Sequence, residues 1–537
     1  MKINTKYFPH YARYKKKIDS VPLEGKPKRI ILISDTHISK SPIFNEEMYK
    51  KGIEEINKIK KVDYIIHLGD LTHGGTYLDF QYALELLKPL NKEIFFAVPG
   101  NHDAKNVGYL LFEEFFGSRT FRIEEKDLLI IGIDSSIPDQ DSGKIGRRAI
   151  EKTREQFLNN SDKTRIFCFH HHLLPIPLTG RERSAVIDSG DALKMILETD
   201  IDLVLNGHRH ISNVYSCSDG EEELVMFNSG TFSCNKTRYK ELFTYTILDI
   251  FEKAVLFRTK KLINGERIKR GRYINRVFNP TPPKLEKKLI FRIAHISNTH
   301  FSSGNFREDI YKKAVKQLNA LNIDLVIHTG DVTNASQYVE YKKAVGDLDK
   351  IIAPKIIIPG DNDLKTIGWD WFPEFIGPLE PFYENDKIRI TGINSVDPTI
   401  TSGNIGRKRM NEVINIFKEK PKNKINIVAL YHNLIPHPRT KFNYMLSDAG
   451  NIIKFFTEPE NNIHFILTGH DHISFSLQLE DTVFSSCGTL SSRDYLDLDL
   501  NTYNIINCYE EGLVEVNKVI VKTNSSQLIG RYWINLN

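Results

Sequence analysis

The sequence predicts an α/β fold that occurs twice along the chain, and two features indicate it. Short apolar runs alternate with amphipathic helical segments, and the distinctive motifs of the first half return in the second half. Most runs are apolar at consecutive positions, as expected for strands covered on both faces. A repeat of this length indicates a duplicated domain rather than a small solenoid unit.

The repeat is defined by motifs that recur with a nearly constant offset. SDTHIS, which contains Asp35, returns as SNTHFS at Asn298, and HLGDLTH at Asp70 returns as HTGDVTN at Asp331. The segment NPTPPKLEKK, with three prolines and a charge cluster, is typical of a stiff, exposed linker. We therefore predict a first domain at residues 1–278, a linker at 279–288 and a second domain at 289–537.

The elements of the first copy follow in order. The predicted strands are RIILIS, DYIIHLG, EIFFAVPG, LLIIGID, RIFCFH and DLVLNGH, beginning at residues 29, 63, 93, 128, 165 and 202. Helices are predicted over 45–61, 77–90 and 107–116. The first helix places Met48, Ile53, Ile56 and Ile59 at helical spacing, which predicts one apolar face.

Composition excludes several classes of protein. The 537 residues are 40% apolar and 26% charged, which is ordinary for globular proteins and excludes disorder, collagen and coiled coil as the main structure. With 73 basic and 68 acidic residues, net charge does not argue for a nucleic-acid partner. The five cysteines are scattered without a C-x-x-C pair. We expect a cytoplasmic protein without a signal peptide or membrane association.

Metal-binding side chains collect directly after the predicted strands, where α/β folds place their chemistry. One such strand end is ordinary, but five in one domain predict a functional cluster. Its members in the first copy are Asp35, His37, Asp70, Asn101, His102, Asp103, His171, His208 and His210.

The residue types suit a pair of divalent ions. A shared carboxylate screens the repulsion between two cations, and imidazoles complete the ligand sets without excess negative charge. Cations ~3.5–4 Å apart can hold a phosphoryl group between them. The absence of cysteine from these motifs disfavours a structural zinc site.

These blocks resemble the motifs of the calcineurin-like metallophosphoesterases, which carry D-x-H, G-D, G-N-H-D, a histidine at a strand end and G-H-x-H in that order. All five are present, as Asp35-Thr36-His37, Gly69-Asp70, Gly100-Asn101-His102-Asp103, His171 and Gly207-His208-Arg209-His210. HHHLLP and FNSGT are most similar to the branch that includes class III cyclic-nucleotide phosphodiesterases. The resemblance implies a four-layer sandwich in each copy, with two mixed sheets face to face and helices outside.

The resemblance also implies a role for each residue. Two divalent ions of Mn, Fe or Zn would be held, one by Asp35, His37, Asp70 and His210, and the other by Asp70, Asn101, His171 and His208. A hydroxide between them would attack phosphorus in line. His102 would stabilise the transition state or protonate the leaving oxygen, and Asp103 would orient His102.

The run of three histidines after the fifth strand needs sorting. The second copy reads Tyr431-His432-Asn433, so histidine is kept only at the middle position. Strand alternation puts His170 on the face opposite the ligand, which predicts His171 as the ligand. We expect His172 to lie behind the ligands at best and not to bind an ion.

Other polar residues have both ordinary and functional interpretations. His67 and His328 lie inside predicted strands and are expected in the core. His73 is a candidate for substrate contact. Arg181 and Arg183 could hold a phosphate or belong to a solvated loop.

The second copy departs from the motifs at three positions, Asn298, Asp361 and Asn362, and keeps His300, Asp331, His432, His470 and His472. Both copies retain two carboxylate ligands, so the count leaves metal binding by the second copy open. The general acid is missing, and Asp363 would have no histidine to orient. We predict a catalytically impaired second lobe.

Three functions remain open at this point. The leading one is a phosphodiesterase with a cyclic-nucleotide or other nucleotide-type substrate. The alternatives are a nuclease of the same superfamily, supported only by the basic stretch from Lys2 to Lys17, and a binding or scaffold protein. Because related phosphodiesterases pair two domains, the tandem could form a pseudo-dimer within a monomeric chain.

Overall fold

The computed structural model describes residues 25–180, 185–220, 223–239, 241–251, 254–273, 288–301, 304–418, 424–439, 445–493, 500–534 and 536. The chain divides into two compact units. We name the described residues 25–273 the N-terminal lobe and 288–536 the C-terminal lobe. The basic stretch from Lys2 to Lys17, Arg181, Arg183 and residues 279–287 of the predicted linker lie outside the described residues, and the predicted domain limits stay predictions.

The N-terminal lobe alternates strands and helices as its sequence predicts. Its elements are β1 (Lys28–Ile33), α1 (Glu46–Asn57), β2 (Tyr64–His67), α2 (Tyr77–Leu87), β3 (Phe95–Ala97), α3 (Gly108–Phe116), β4 (Phe121–Glu124), β5 (Leu128–Gly132), α4 (Arg147–Leu158), β6 (Thr164–Cys168), α5 (Ser189–Glu198), β7 (Leu203–Asn206), β8 (Asn213–Ser218), β9 (Glu223–Asn228), β10 (Thr244–Ile250), β11 (Ala254–Lys261) and β12 (Arg267–Tyr273).

Two mixed sheets form the middle of this lobe. One has the order β12-β11-β10-β1-β2-β3, with β1, β2 and β3 parallel and β10 antiparallel to β1. The other has the order β8-β9-β7-β6-β5-β4. The functional loops follow β1, β2, β3, β6 and β7, so they meet at the carboxyl edges of parallel strands.

Strand alternation sorts the core into layers. Ile30 and Leu32 point from β1 into a cluster shared with the second sheet, whereas Ile31 and Ile33 point into a cluster that includes Ile53 of α1. The predicted four-layer sandwich is therefore confirmed. The helix predicted over 45–61 is shorter: the Asn45 side chain accepts a hydrogen bond from the Met48 amide at its start, and it ends at Asn57.

The C-terminal lobe repeats this architecture. Its elements are β13 (Leu289–Ile296), α6 (Glu308–Ala320), β14 (Leu325–Thr329), α7 (Tyr338–Leu348), β15 (Lys355–Ile358), α8 (Gly368–Phe375), β16 (Phe382–Glu384), β17 (Ile388–Ile393), α9 (Gly406–Lys418), β18 (Ile425–Leu430), α10 (Ala449–Thr457), β19 (Phe465–Thr468), β20 (Phe475–Leu479), β21 (Thr482–Ser486), β22 (Thr502–Tyr509), β23 (Leu513–Ile520) and β24 (Ser525–Trp533).

The two sheets of this lobe match those of the first. They have the orders β15-β14-β13-β22-β23-β24 and β16-β17-β18-β19-β21-β20. Ile293, Ile327, Ile390 and Ile427 of the two sheets share one buried cluster. Among the described residues, no helix combines the length and apolar character needed to span a membrane.

Candidate metal centre

The backbone of the N-terminal lobe turns sharply where its strands end. Asp35, His37 and Asp70 have left-handed φ angles of 53°, 50° and 56°. The Asp35 amide donates to the Gly69 carbonyl and the His37 amide to the Asp70 carbonyl, each at 3.0 Å. A Cβ on Gly100 would lie 2.2 Å from Asp70 Oδ1, so only glycine allows this approach. The turns therefore bring three chain segments within ligand distance.

The first group of side chains consists of Asp35, His37, Asp70 and His210, and all four are buried. His37 Nε2 lies 3.4 Å from Asp70 Oδ2 and 3.3 Å from His210 Nε2. His210 Nε2 lies 3.3 Å from Asp35 Oδ1. The structure thus brings together the four residues that the family resemblance implies as ligands of one ion.

The second group surrounds the other side of Asp70. His170 Nε2 lies 3.4 Å from Asp70 Oδ2 and 3.2 Å from His208 Nδ1. Asn101 Oδ1 lies 3.1 Å from the same His208 nitrogen. Asp70 therefore lies between the two groups, as a bridging carboxylate must.

The expectation that His170 faces away from the site is wrong. Strand β6 ends at Cys168, so the alternation of strand faces no longer applies two residues later. The His170 Nδ1 atom lies 2.8 Å from the Leu68 carbonyl and donates to it, which turns Nε2 toward Asp70.

His171 stays a predicted ligand beside His170. Its Nδ1 pairs with Ser135 Oγ at 2.9 Å, and its ring lies 4.7 Å from the His208 ring. Its buried Nε2 has no hydrogen-bond partner among the described atoms. His172 stacks on His208 at 5.7 Å and lies behind these groups. The imidazoles of both His170 and His171, rather than one of them, are therefore candidate ligands of the second ion.

Burial and neighbouring carboxylates set the charge of these imidazoles. Burial lowers the pKa of His37, His171 and His208 well below the ordinary value, so they are neutral at pH 7. Burial also opposes charge on His170 and His210, but Asp70 and Asp35 outweigh it and raise their pKa values to about 9 and about 10. A cation binding at these two positions would displace a proton.

The donor set fits divalent cations. One compact group contains Asp35, His37 and Asp70, and another contains Asp70, His170 and His208. The buried Nε2 of His171 makes no well-formed hydrogen bond among the described atoms, so a cation would give it a partner. Imidazole nitrogen with carboxylate oxygen suits Mn, Fe or Zn.

His102 lies at the rim of the site and is half-buried. Its Nδ1 lies 2.7 Å from the His73 carbonyl and 2.9 Å from Lys105 Nζ. One nitrogen cannot both donate to the carbonyl and accept from the ammonium. The contact to the carbonyl, which can only accept, is the shorter one and therefore places the hydrogen on Nδ1. The His102 and His73 rings stack at 4.8 Å. His102 Nε2 is then the atom available for proton exchange.

The predicted role of Asp103 is wrong. Its carboxylate accepts from the amides of Leu71, Thr72 and Gly100 and from the Thr72 hydroxyl, at 2.7–3.0 Å. It is fully buried and ties the loop after β2 to the loop after β3. Asp103 is therefore a structural acceptor, and it does not orient the His102 ring.

Two of the remaining predictions concern His67 and His328 in the core, and a third concerns His73 near the site. His67 and His328 are buried core residues, paired with the hydroxyls of Thr36 and Thr299. His73 lines the cleft, and its Nδ1 lies 3.2 Å from His37 Nδ1. The cleft therefore contains an imidazole that the motifs do not include.

Sequence reasoning missed several residues that line this cleft of about 120 Å³, among them Cys234, Arg209 and Arg238. Cys234 groups with His37 and His210, so cysteine is present beside the site after all. Arg209 donates to the Thr179 hydroxyl at 2.5 Å, and Arg238 donates to the Thr179 carbonyl at 3.2 Å. The FNSGT motif, which precedes Cys234, was the available signal for that loop.

In the C-terminal lobe, the equivalent positions have the same backbone but different contacts. Asn298, His300 and Asp331 have φ angles of 54°, 51° and 56°. Asp361, His432 and His470 form a compact group. Asn362, at the position of His102, turns inward and donates to Asp331 Oδ2 at 2.6 Å. Asp363, like Asp103, is a structural acceptor, because its carboxylate accepts from the loop amides.

Several known proteins are similar to parts of this chain. A probable cyclic nucleotide phosphodiesterase of Coxiella burnetii is 24% identical over 209 residues, covering 36% of this chain and 81% of that protein. A probable glycerophosphodiester phosphodiesterase of Arcobacter nitrofigilis is 32% identical over 178 residues, covering 29% of this chain and 64% of that protein. Among solved structures, a purple acid phosphatase from yellow lupin seeds has a TM-score of 0.37 and 13% identity, covering 47% of this chain and 54% of that one.

The family model described as calcineurin-like phosphoesterase matches two segments of the chain, residues 28–212 and 291–474. Together they span more than half of the sequence, and each contains the strand-end residues described above. The chain therefore belongs to the calcineurin-like phosphoesterase family, and it carries the family domain in two copies.

Proposed function

We propose that the N-terminal lobe is a phosphodiesterase with two divalent cations that hydrolyses a nucleotide-type phosphodiester. The observation that carries the proposal is the position of Asp70 between two groups of imidazole and carboxylate side chains. Bound cations would supply an activated water and screen the phosphoryl charge. Mn, Fe or Zn suits these donors.

The chain's own residues provide the other functions. His102 lies beside the site with its Nδ1 hydrogen held by the His73 carbonyl, so Nε2 is the atom that takes up a second proton and, in the imidazolium form, gives it to a leaving oxygen. Lys105 Nζ lies 3.5 Å from that Nε2 and favours an anionic substrate nearby. The two groups together support cleavage of a bond to a poor leaving group.

The substrate class rests on relatives and on charge. Two similar proteins are named as probable cyclic nucleotide and glycerophosphodiester phosphodiesterases, so both classes belong in a test. Arg209, Arg238 and Lys236 line the same cleft and supply positive charge beside the metal groups. A substrate with a phosphodiester and a second polar moiety fits this lining better than inorganic phosphate alone.

The experiment compares substrates in matched variants. The full chain is loaded with Mn²⁺ and assayed on cyclic AMP, a glycerophosphodiester, bis(p-nitrophenyl) phosphate and a phosphomonoester. We expect hydrolysis of diesters by the wild type and by Asp331→Ala, and its loss in Asp70→Ala. Hydrolysis of monoesters alone, or equal losses in the two variants, would contradict the proposal.

A further inference from the structure

Three potential ligands converge in the C-terminal lobe on one side of Asp331. His432 Nε2 lies 3.4 Å from Asp361 Oδ1, and the His432 and His470 rings lie 5.0 Å apart. The ligand atoms of all three residues lie within 4.8 Å of one another. Two imidazoles and one carboxylate form a donor set that binds divalent transition metals.

The surroundings of these three residues suit a ligand site that solvent can reach. His432 Nδ1 pairs with Ser395 Oγ at 2.9 Å, which orients the ring as a second hydrogen-bond partner does for metal-bound imidazoles. Its Nε2 also lies 3.3 Å from the Thr401 carbonyl, a long contact. The Asp361 side chain is 30% exposed, so a cation can enter from solvent.

The bridging position next to this group is blocked. Asp331 Oδ2 accepts hydrogen bonds from the Tyr431 hydroxyl at 2.7 Å and from the side-chain Nδ2 of Asn362 at 2.6 Å. Asp331 Oδ1 accepts a hydrogen bond from the backbone N–H of Asn362 at 3.0 Å. A carboxylate oxygen offers about two lone pairs, so those of Oδ2 are both occupied. Lys365 fixes the orientation of the Asn362 side chain. Its ammonium can only donate, so it faces the oxygen Oδ1 of Asn362 and leaves Nδ2 turned toward Asp331.

The other half of the site has lost its second carboxylate. Asn298 stands where the N-terminal lobe has Asp35, and its amide is neutral and fully buried. His300 Nε2 lies 3.3 Å from His472 Nε2 and 3.6 Å from Asp331 Oδ2. This half therefore offers two imidazoles and a carboxylate whose Oδ2 already accepts two hydrogen bonds, so it lacks the available carboxylate oxygen that Asp361 supplies to the other half.

We propose that the C-terminal lobe binds a single divalent cation, through Asp361, His432 and His470, in place of the two-cation centre of its family. Asp361, which stands at the position of Asn101 of the N-terminal lobe, supplies the negative charge that this one ion requires. Tyr431 and Asn362 prevent Asp331 from bridging to a second ion.

The test counts metal in the full chain. The protein is loaded with Mn²⁺, freed of excess metal by gel filtration and analysed by elemental mass spectrometry. We expect about three ions per chain, since a two-metal site and a single site would be filled. Asp361→Ala should remove one ion, and Asp370→Ala, which deletes an exposed carboxylate on α8, should remove none.

The outcome does not depend on the N-terminal lobe. The result for Asp361→Ala is the difference in ions per chain between the variant and the wild type. This difference does not depend on how many ions the N-terminal lobe binds or on whether that lobe is active. An unchanged metal content in Asp361→Ala would overturn the proposal, and so would the loss of two ions. As a second measurement, Mn²⁺ in the Asp70→Ala chain should give the paramagnetic resonance spectrum of an isolated ion. A spin-coupled pair in that chain would place two ions in the C-terminal lobe and refute the inference.

Discussion

Asp70 and Asp331 occupy the same place in the two lobes but face different neighbours. Asp70 Oδ2 lies 3.4 Å from Nε2 of both His37 and His170. Asp331 Oδ2 instead accepts hydrogen bonds from Tyr431 and Asn362. An imidazole can exchange its proton for a cation, whereas the tyrosine hydroxyl and the amide nitrogen direct hydrogens at the carboxylate.

This difference shows that counting carboxylates is a poor guide to metal binding. Both lobes keep two acidic residues at ligand positions, and the count alone does not distinguish their capacity for metal. The neighbours of the shared aspartate, at the positions of His170 and His102, decide whether it has a lone pair to give. We therefore expect substitutions at the two aspartates to have very different effects.

The largest expected effect is that of Asp70→Ala. It should remove both ions of the N-terminal lobe and lower diesterase activity by at least about 10³-fold, about 4 kcal/mol of transition-state stabilisation. Asp331→Ala, the matched change, should leave activity nearly unchanged. Activity and metal content are measured on the same preparations. Full metal occupancy in Asp70→Ala would contradict the assignment.

The second effect separates proton transfer from metal binding. His102→Ala should keep both ions and slow hydrolysis of a poor leaving group by ~10²–10⁴-fold. The loss should shrink for a nitrophenyl ester, because nitrophenolate leaves without protonation. If good and poor leaving groups suffer alike, His102 acts only through its charge. Asn362→Ala is the matched control and should not change the rate.

The third effect tests the structural role of the two loop aspartates. Asp103→Ala and Asp363→Ala each leave four buried donors without their acceptor, which should cost about 3–5 kcal/mol in the lobe concerned. The three tryptophans, Trp369, Trp371 and Trp533, all belong to the C-terminal lobe. In urea, tryptophan fluorescence should therefore shift its midpoint for Asp363→Ala, while circular dichroism should shift for both variants.

Equal fluorescence shifts in the two variants would mean that the lobes unfold as one cooperative unit. No shift in either variant would contradict the structural role of these carboxylates.

The smallest expected effect is a partial rescue of the C-terminal lobe. In a chain inactivated by Asp70→Ala, the changes Asn298→Asp, Asp361→Asn and Asn362→His restore the family motifs but leave Tyr431 on Asp331. We expect this triple variant to gain little activity. Adding Tyr431→His should raise its metal content by one ion and its activity measurably above the Asp70→Ala parent. Similar activity with and without the fourth change would show that Tyr431 is no obstacle.

Much of the fold and the candidate site follows from local patterns. Consecutive apolar runs predict covered strands, and the ligand types at five strand ends predict where the groups converge. These predictions succeed because burial and the carboxyl edge of parallel strands are properties of short segments.

Two of the failures involve contacts that segments far apart in the sequence make. Tyr431 reaches Asp331 across 100 residues, and Asp103 accepts from Leu71 and Thr72 in another loop. His170 was misplaced because a strand-face rule was extended beyond the end of β6 at Cys168. Sequence spacing contains no information on such contacts until the fold has brought the segments together.

The backbone turns at the strand ends have a consequence for how the protein matures. Asn298 in the C-terminal lobe donates to Gly330 at 3.0 Å, as Asp35 donates to Gly69, although the two lobes carry different ligand sets. Because main-chain hydrogen bonds set these turns in both lobes, we expect the loops to take this shape without regard to which ligands they carry. We therefore expect the divalent ions available to the folded chain to decide which metal it carries, so that the same chain would hold different metals in different surroundings.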